Sequence, residues 1–281
     1  MSLKNKIDFA VVFSVKKANP NGDPLNGNRP RVDYDGYGEV SDVCLKRKLR
    51  NRLQSLGQEI FVQSDENRKD EYRSLKDRFD KNDEIKAAKG DRQKQAKIAC
   101  KTWYDVRAFG QVFAFGKSDD ENSVSIGIRG PVTIQSAVSV EPVDISSMQI
   151  TKSVNLETGK DPDKKGSDTM GMKHRVDFGV YVTYGSINCQ LAEITGFSES
   201  DAEILLEALK TMFMDDVSSA RPDGSMEILK VVWWKHNSKS GQYSSAKVHR
   251  SLVVQKKPSS KDYEIKITKL EGLHLEEYED L

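Results

Sequence analysis

Cysteine is scarce in this sequence, and the few cysteines are poorly spaced for cross-linking or for metal binding. There are three of them, Cys44, Cys100 and Cys189, and no CxxC pair occurs. An odd count without paired spacing argues against a disulfide framework and against a structural zinc site. Cys44 lies in an apolar helical segment and Cys189 at the end of a strand-like segment, so we interpret both as small buried hydrophobic residues.

Long apolar runs are lacking as well, and so is a strong net charge. No stretch approaches the ~20 apolar residues of a membrane-spanning helix, and the N-terminal residues lead into a strand without the apolar segment of a signal peptide. We therefore expect no membrane partner and a cytoplasmic location. The formal net charge is only +1, with 37% hydrophobic and 31% charged residues. This balance predicts a soluble globular protein, and bulk charge alone does not indicate nucleic-acid binding.

Motifs for nucleotide binding and for catalysis are also missing. The sequence has no GxxxxGK[ST] motif and no GxGxxG motif after a strand, which argues against a phosphate-binding loop for nucleotides. No two of the four histidines lie at metal-ligand spacing, so we predict no metal and no cofactor. His174 lies between two cations and is an alternative acid or base for a nuclease. The aspartates near the first loop, including Asp33, are alternative metal ligands, although turn chemistry explains them as well.

The most informative stretch that is present is a polar loop at residues 18–31. It follows an apolar, β-branched run at residues 7–15, which predicts a buried strand. Gly22 and Gly27 permit positive φ, the prolines fix φ, and the asparagines bond to nearby backbone. A rigid polar loop that ends in two arginines is well suited to hold a phosphate backbone. A surface hairpin turn without a ligand is the alternative.

The next segment predicts a basic helix. Ser41 is a good N-cap, a stripe of leucines repeats at helical spacing from residue 45 to residue 56, and Gly57 ends the pattern. The face opposite the leucines carries Arg47, Arg50 and Asn51, and Lys46 and Lys48 flank it, which makes this the sharpest basic cluster in the sequence. This face is either a nucleic-acid contact or an ordinary solvated helix surface.

Two polar segments interrupt the rest of the pattern. Residues 64–101 are densely charged with both signs, which predicts a helical insertion with ion pairs four residues apart. Residues 151–175 predict a hairpin arm whose glycine-rich tip projects from the body. Within the segment 103–115, residues 107–113 partly mimic the aromatic strand of an RNA-recognition motif, but core packing of the aromatic side chains explains them better.

The order of the predicted elements indicates an α+β fold. Strand, helix, strand, insertion, strands, helix and strand follow one another, which is similar to a split β-α-β, ferredoxin-like core with large insertions. Such a core needs only about 90 residues, so most of the chain would elaborate it. We predict one elaborated domain over residues 1–281.

Several long motifs, taken in order, are similar to one known family. They are ANPNGDPLNGNRPR, SDVCLKRKLRN, DVRAFGQVF, IRGPVTIQSAVSVEPV, MGMKHRVDFGVY, GFSESDAEILLEAL and SSARPDGSM. Over nearly its whole length the chain resembles the backbone, CRISPR RNA-binding subunit of the type I-C CRISPR Cascade effector complex.

The resemblance implies a fold, a function and partners. The fold would be an RNA-recognition-motif-like palm with a β-hairpin thumb at about 151–175 and a helical insertion at about 64–101. The function would be non-catalytic: copies polymerise along CRISPR RNA into a helical filament, and the exposed guide pairs with target DNA. The partners would be CRISPR RNA, target DNA through the guide, other copies of the chain and other Cascade subunits. Cleavage would belong to those other subunits.

The resemblance and the basic clusters together give a set of candidate RNA-binding residues. They are Asn19, Asn21, Arg29, Arg31, Lys46, Arg47, Arg50, Arg129, Lys152, Met170, Met172, Lys173, His174, Arg175 and Arg221. Two other functions stay open. One is a metal-dependent or histidine-dependent endoribonuclease of related fold, with His174 or Asp33 in catalysis. The other is an ordinary single-stranded RNA-binding module that forms no filament.

Overall fold

The apolar run at residues 7–15 forms a central strand of a large antiparallel sheet. This is seen in a computed structural model, which describes residues 2–115, 124–151, 170–257 and 262–279. The described strands are β1 (Ile7–Ala18), β2 (Gly22–Asp23), β3 (Arg29–Pro30), β4 (Tyr37–Val40), β5 (Gly110–Phe115), β6 (Val124–Arg129), β7 (Val132–Ile134), β8 (Ala137–Pro142), β9 (Ile145–Thr151), β10 (Met170–Ile187), β11 (Met226–Lys235), β12 (Leu252–Lys256), β13 (Tyr263–Ile267) and β14 (His274–Glu279). The described helices are α1 (Asp42–Ser55), α2 (Leu75–Asp80), α3 (Asp83–Ala87), α4 (Arg92–Thr102), α5 (Tyr104–Phe109), α6 (Cys189–Thr195), α7 (Glu199–Lys210) and α8 (Ser245–His249).

The sheet has the strand order β14-β11-β1-β10-β8-β4, and β7 and β9 also pair with β10. All of these pairings are antiparallel. Strand β1 is covered on both edges, since Val12 pairs with Val182 of β10 and Phe9 pairs with Trp233 of β11. The α+β class that the element order predicted is therefore confirmed.

Both faces of this sheet are buried, which explains the continuous apolar character of β1. Phe9 and Phe13 point to one face, where they pack with the leucine stripe of α1 and with α7. Ala10 and Val12 point to the other face, where α8 and the β12–β13 hairpin cover them. Successive side chains of a strand alternate between faces, so a strand between two apolar layers needs apolar residues at every position.

A second, smaller core lies under the predicted helical insertion. Aromatic side chains from several elements meet there, with ring centroids 4.7 Å apart for Phe61 and Trp103 and 4.6 Å apart for Phe79 and Phe113. Helices α2 and α3 lie within the segment 64–101 predicted as helical, and α4 extends one residue past its end. The segment 103–115 forms α5 and β5, and its buried rings serve this core. Core packing, rather than an RNA-binding strand, is thus the confirmed explanation of that motif.

Three further segments complete the fold. Residues 58–63 form no strand, residues 245–249 form helix α8, and the acidic C-terminal residues form the edge strand β14. Pairing with cations explains the last case: Glu277 accepts from Lys230 at 2.7 Å, and Glu276 accepts from Lys235 at 2.7 Å. In the part of the chain that the structure describes, no helix is long and apolar enough to cross a membrane.

Candidate nucleic-acid interface

A groove of about 240 Å³ lies where the loop after β1 meets the β9–β10 hairpin. Three separate segments line it: the loop, the hairpin and the turn at residues 218–224. The lining residues are Asn19, Gly27, Asn28, Ile150, Met172, Lys173, His174, Ser219 and Ala220. Four of these, Asn19, Met172, Lys173 and His174, belong to the predicted RNA-binding set. The sequence places them more than 150 residues apart, and the antiparallel pairing of β1 with β10 brings them together.

The loop is held rigidly by its own hydrogen bonds. The Asn19 side chain is buried and donates to the Asn28 carbonyl at 2.7 Å, while the Asn19 backbone N–H donates to the Ala220 carbonyl at 2.9 Å. Gly27 and Asn28 both adopt φ +58°, a conformation that glycine and asparagine tolerate best. Within the described residues, Asn19 Oδ1 is buried and has no hydrogen-bond partner.

A polar triad joins the loop to the hairpin. Ser147 and His174 are opposite each other in the β9–β10 register. Arg29 Nη1 donates to Ser147 Oγ at 2.9 Å, and Ser147 Oγ lies 2.8 Å from His174 Nδ1. Arg29 Nη1 is also 3.4 Å from the same ring nitrogen. Since Arg29 only donates, Nδ1 is the acceptor in this arrangement. Among the residues that the structure describes, the other guanidinium N–H groups of Arg29 form no hydrogen bond.

The third wall is the turn at residues 218–224. Lys173 Nζ donates to the Ser219 carbonyl at 2.9 Å. Arg221 Nε bonds to Asp216 at 2.7 Å, and the buried Lys48 ammonium bonds to the same carboxylate. Burial lowers the pKa of Lys48, and the Asp216 charge opposes that shift. Lys48, which the helical pattern placed beside the predicted basic face, instead fastens α1 to the segment that leads into this turn.

The predicted basic face of α1 is mostly occupied by protein partners. Arg47 Nη1 donates to the Val62 carbonyl at 2.7 Å, and Arg50 Nε bonds to Asp105 at 2.9 Å. Lys46 pairs with Asp42 at 3.0 Å. Burial lowers the pKa of Arg47, and the neighbouring Arg50 charge adds to this. None of these three cations lines the groove, so the structure separates them from the loop and the hairpin.

Other predicted residues have structural partners near the groove. Asn21 Oδ1 accepts from both the backbone N–H and the hydroxyl of Ser41, each at 2.9 Å, and so fastens the loop to the start of α1. Arg31 lies 3.6 Å from Asp23. Arg175 has a buried Nε without a hydrogen-bond partner among the described residues.

The remaining predicted residues differ in their placement. Met170 and Met172 are exposed on β10, at 65% and 57% of their full accessible area. They alternate with Gly171 and share the His174 face of the hairpin. Arg129 is exposed at the end of β6, opposite Gly110, and lines a different groove. Lys152 lies outside the described residues.

Sequence reasoning missed two polar clusters. One is the contact of Ser147 with Arg29 and His174. It was missed because a lone serine in a strand carries no local signal. The other is a buried group around Asp8, where His236 Nε2 lies 2.7 Å and His249 Nε2 lies 3.7 Å from the carboxylate. Burial opposes ionisation of Asp8, but hydrogen bonds from His236 and Ser245 outweigh it, and the pKa of Asp8 is lowered. The sequence feature that could have revealed this cluster is the Asp8 carboxylate inside an apolar run.

The alternative catalytic residues have ordinary structural surroundings. Asp33 Oδ1 accepts from the backbone N–H groups of Asp35 and Tyr37, at 3.0 and 2.8 Å, which closes a turn. Within the described ranges, no group of three His, Cys, Asp or Glu side chains is arranged to hold a metal ion. His174 contacts Ser147 and Arg29.

The fold and the groove together define the class of this protein. It is an α+β protein with a large antiparallel sheet and a polar groove beside a strand hairpin. Within that class, the model of the family described as "CRISPR-associated protein Cas7" matches residues 5–268, and the chain belongs to this family. A curated relative from Haloferax volcanii, named "CRISPR-associated protein Cas7", is 30% identical over 224 residues. That match covers 73% of this chain, and the chain spans 63% of the length of the relative.

The fold is similar to that of a solved structure described as "CRISPR RNA-guided surveillance complex, pre-nicking". The TM-score is 0.50 at 17% sequence identity, and the match covers 82% of this chain and 75% of that chain. The family resemblance noted in the sequence is therefore confirmed, while the type I-C subtype stays a prediction.

Proposed function

We propose that this protein is a non-catalytic backbone subunit of a type I-C CRISPR Cascade complex and that it binds the phosphate backbone of CRISPR RNA. One observation carries the proposal: a single groove collects Lys173, His174 and Asn19, with Arg29 at its edge, in a member of the Cas7 family. The resemblance of the sequence to the type I-C subunit supports the subtype. The cytoplasm is the compartment we expect for it.

The geometry favours contacts to phosphate and sugar over contacts to bases. Arg29 is fixed by Ser147, and Lys173 by the Ser219 carbonyl, so both cations are held before RNA arrives. Positioned cations bind phosphate oxygens without regard to sequence. The unpartnered acceptor of Asn19 is suited to a ribose 2′-hydroxyl, which donates as well as accepts. A guide-binding subunit needs such sequence-independent contacts, because base pairing reads the target.

In this proposal the eight-stranded sheet is the palm, of RNA-recognition-motif type, and β9 with β10 begins the thumb. The exposed Met170 and Met172 are adaptable apolar contacts for unstacked bases. Helices α2 to α4 form the helical insertion. Many copies along one RNA would bind tightly although each contributes few charges, since the contacts add along the strand. Target DNA, neighbouring copies and other Cascade subunits complete the set of proposed partners.

The test measures binding to single-stranded RNA of spacer length as a function of salt. We expect Arg29→Gln and Lys173→Gln each to lower the slope of log K against log salt by about 0.7, the value for one phosphate contact on a single strand. Arg73, which is exposed outside the groove, provides the matched control, and Arg73→Gln should leave the slope unchanged. Unchanged slopes for both groove variants would refute the proposed interface.

Two further measurements separate the proposal from its alternatives. Labelled guide and target RNA should stay intact with and without divalent metal, whereas cleavage that is lost in His174→Ala or Asp33→Ala would establish the endoribonuclease. The number of bound copies should rise with RNA length. One copy per RNA at every length would instead indicate a simple RNA-binding module.

A further inference from the structure

A second groove, of about 510 Å³, lies between α4, β6 and α6. Its lining is mainly apolar and includes Ala96, Ile128, Leu191 and Ile194. Ile194 is 74% exposed, an unusual position for a large aliphatic side chain next to other apolar groups. Contiguous exposed apolar surface of this kind marks sites of interaction.

This groove is distant from the proposed RNA-binding groove. The latter lies beside His174 on β10, whereas α6 starts directly after β10 ends at Ile187. At about 3.3 Å per residue, the strand between His174 and Ile187 is roughly 43 Å long. The two grooves share no lining residue. Arg129, which the sequence grouped with the RNA-binding residues, therefore serves a different surface.

The charges at the groove have one sign. Lys97 and Arg129 are its charged lining residues, and no carboxylate in the described part of the chain forms an ion pair with either. Among the described residues, no aromatic ring lines the groove, so they offer no platform for stacking bases. An apolar trough with two cations is complementary to an amphipathic protein segment that carries carboxylates.

We propose that this groove docks a partner protein through a short amphipathic helix with aliphatic side chains on one face and carboxylates beside them. The aliphatic side chains bury Ile194 and Leu191, and the carboxylates pair with Lys97 and Arg129. Docking at this site is a function beyond RNA binding and does not depend on it.

The probe is a synthetic helical peptide about four turns long, with leucine on one face and glutamate on the other. Its affinity for the full chain is measured by fluorescence anisotropy. We expect Ile194→Asp to weaken binding about tenfold or more, since burial of an aliphatic side chain is lost. The double variant Lys97→Gln with Arg129→Gln should also weaken it, and a peptide with glutamine at every glutamate should show the same loss.

Matched controls distinguish this site from general stickiness. Lys94 is on α4 but does not line the groove, and Val112 is an exposed aliphatic residue elsewhere. Lys94→Gln and Val112→Asp should leave the peptide affinity unchanged, and circular dichroism verifies that each variant is folded. Equal binding of the glutamate and glutamine peptides, or no effect of Ile194→Asp, overturns the proposal. So does a fall in the salt slope of RNA binding in the Lys97 and Arg129 variant, which would make the groove an RNA contact.

Discussion

Removing the Asp105 carboxylate should lower the free energy of unfolding strongly and should change the affinity for RNA far less. Asp105 is fully buried and accepts three hydrogen bonds: from Phe61 N at 2.7 Å, from Val62 N at 3.0 Å and from Arg50 Nε at 2.9 Å. Asp105→Ala leaves two backbone donors and one guanidinium without an acceptor. Breaking a buried charge pair from one side costs about 3–5 kcal/mol, and we expect a loss of that size in the free energy of unfolding.

Arg50→Gln should have a smaller effect of the same kind. The Arg50 side chain is 12% exposed, so part of its charge stays hydrated, and we expect a loss of about 1–3 kcal/mol. The Phe61 and Val62 amides keep Asp105 as their acceptor in this variant. The salt slope of RNA binding should stay unchanged, because the guanidinium faces a carboxylate inside the protein.

Urea unfolding followed by tryptophan fluorescence gives the free energy of unfolding of the whole protein, since Trp103 lies beside Phe61 at 4.7 Å while Trp233 and Trp234 belong to the large sheet. Hydrogen exchange adds a local readout: the Phe61 and Val62 amides should lose protection in Asp105→Ala. Glu203 is exposed on α7, and Glu203→Ala should change stability by no more than about 0.5 kcal/mol. If Arg50→Gln preserved stability and lowered the RNA salt slope by about 0.7, our structural assignment of Arg50 would be refuted.

Three further outcomes follow from the geometry. The pKa of Asp8 is lowered in the fold, so its contribution to stability is present above about pH 4 and is lost as the pH falls through the folded pKa. The melting temperature of Asp8→Asn should therefore depend less on pH, between neutral and acidic pH, than that of the unchanged protein. Identical profiles of melting temperature against pH would contradict this. Gly110 has φ +79°, and a Cβ there would lie 2.3 Å from the Ile128 carbonyl oxygen. Gly110→Ala should therefore lower the free energy of unfolding, measured in urea, by about 2 kcal/mol or more. Gly127 is at an open position, and Gly127→Ala should show no such loss. Burial raises the pKa of Cys100 to about 11. Near neutral pH this thiol should therefore react with a thiol reagent only after denaturant is added. Rapid labelling of the native protein at Cys100 would disprove its burial.

Short-range patterns in the sequence determined the elements that lie at the centre of the fold. The continuous apolar run of β1 and the leucine stripe of α1 between Ser41 and Gly57 both have the expected structures. Each pattern depends on residues within a few positions of one another, where the strand and helix periods and the capping bonds act directly.

The partners of the charged side chains were decided only by the tertiary structure. The helical pattern groups Arg47, Lys48 and Arg50 in one basic cluster. In the structure, however, Arg50 pairs with Asp105 and Lys48 pairs with Asp216, and both partners are far away along the chain. Arg29 reaches Ser147 only because β1, β10 and β9 are neighbours in one sheet. Period and composition show that a cation lies on a surface, but its partner depends on which distant backbone folds beside it. That long-range choice determines which cations fasten one element of the fold to another.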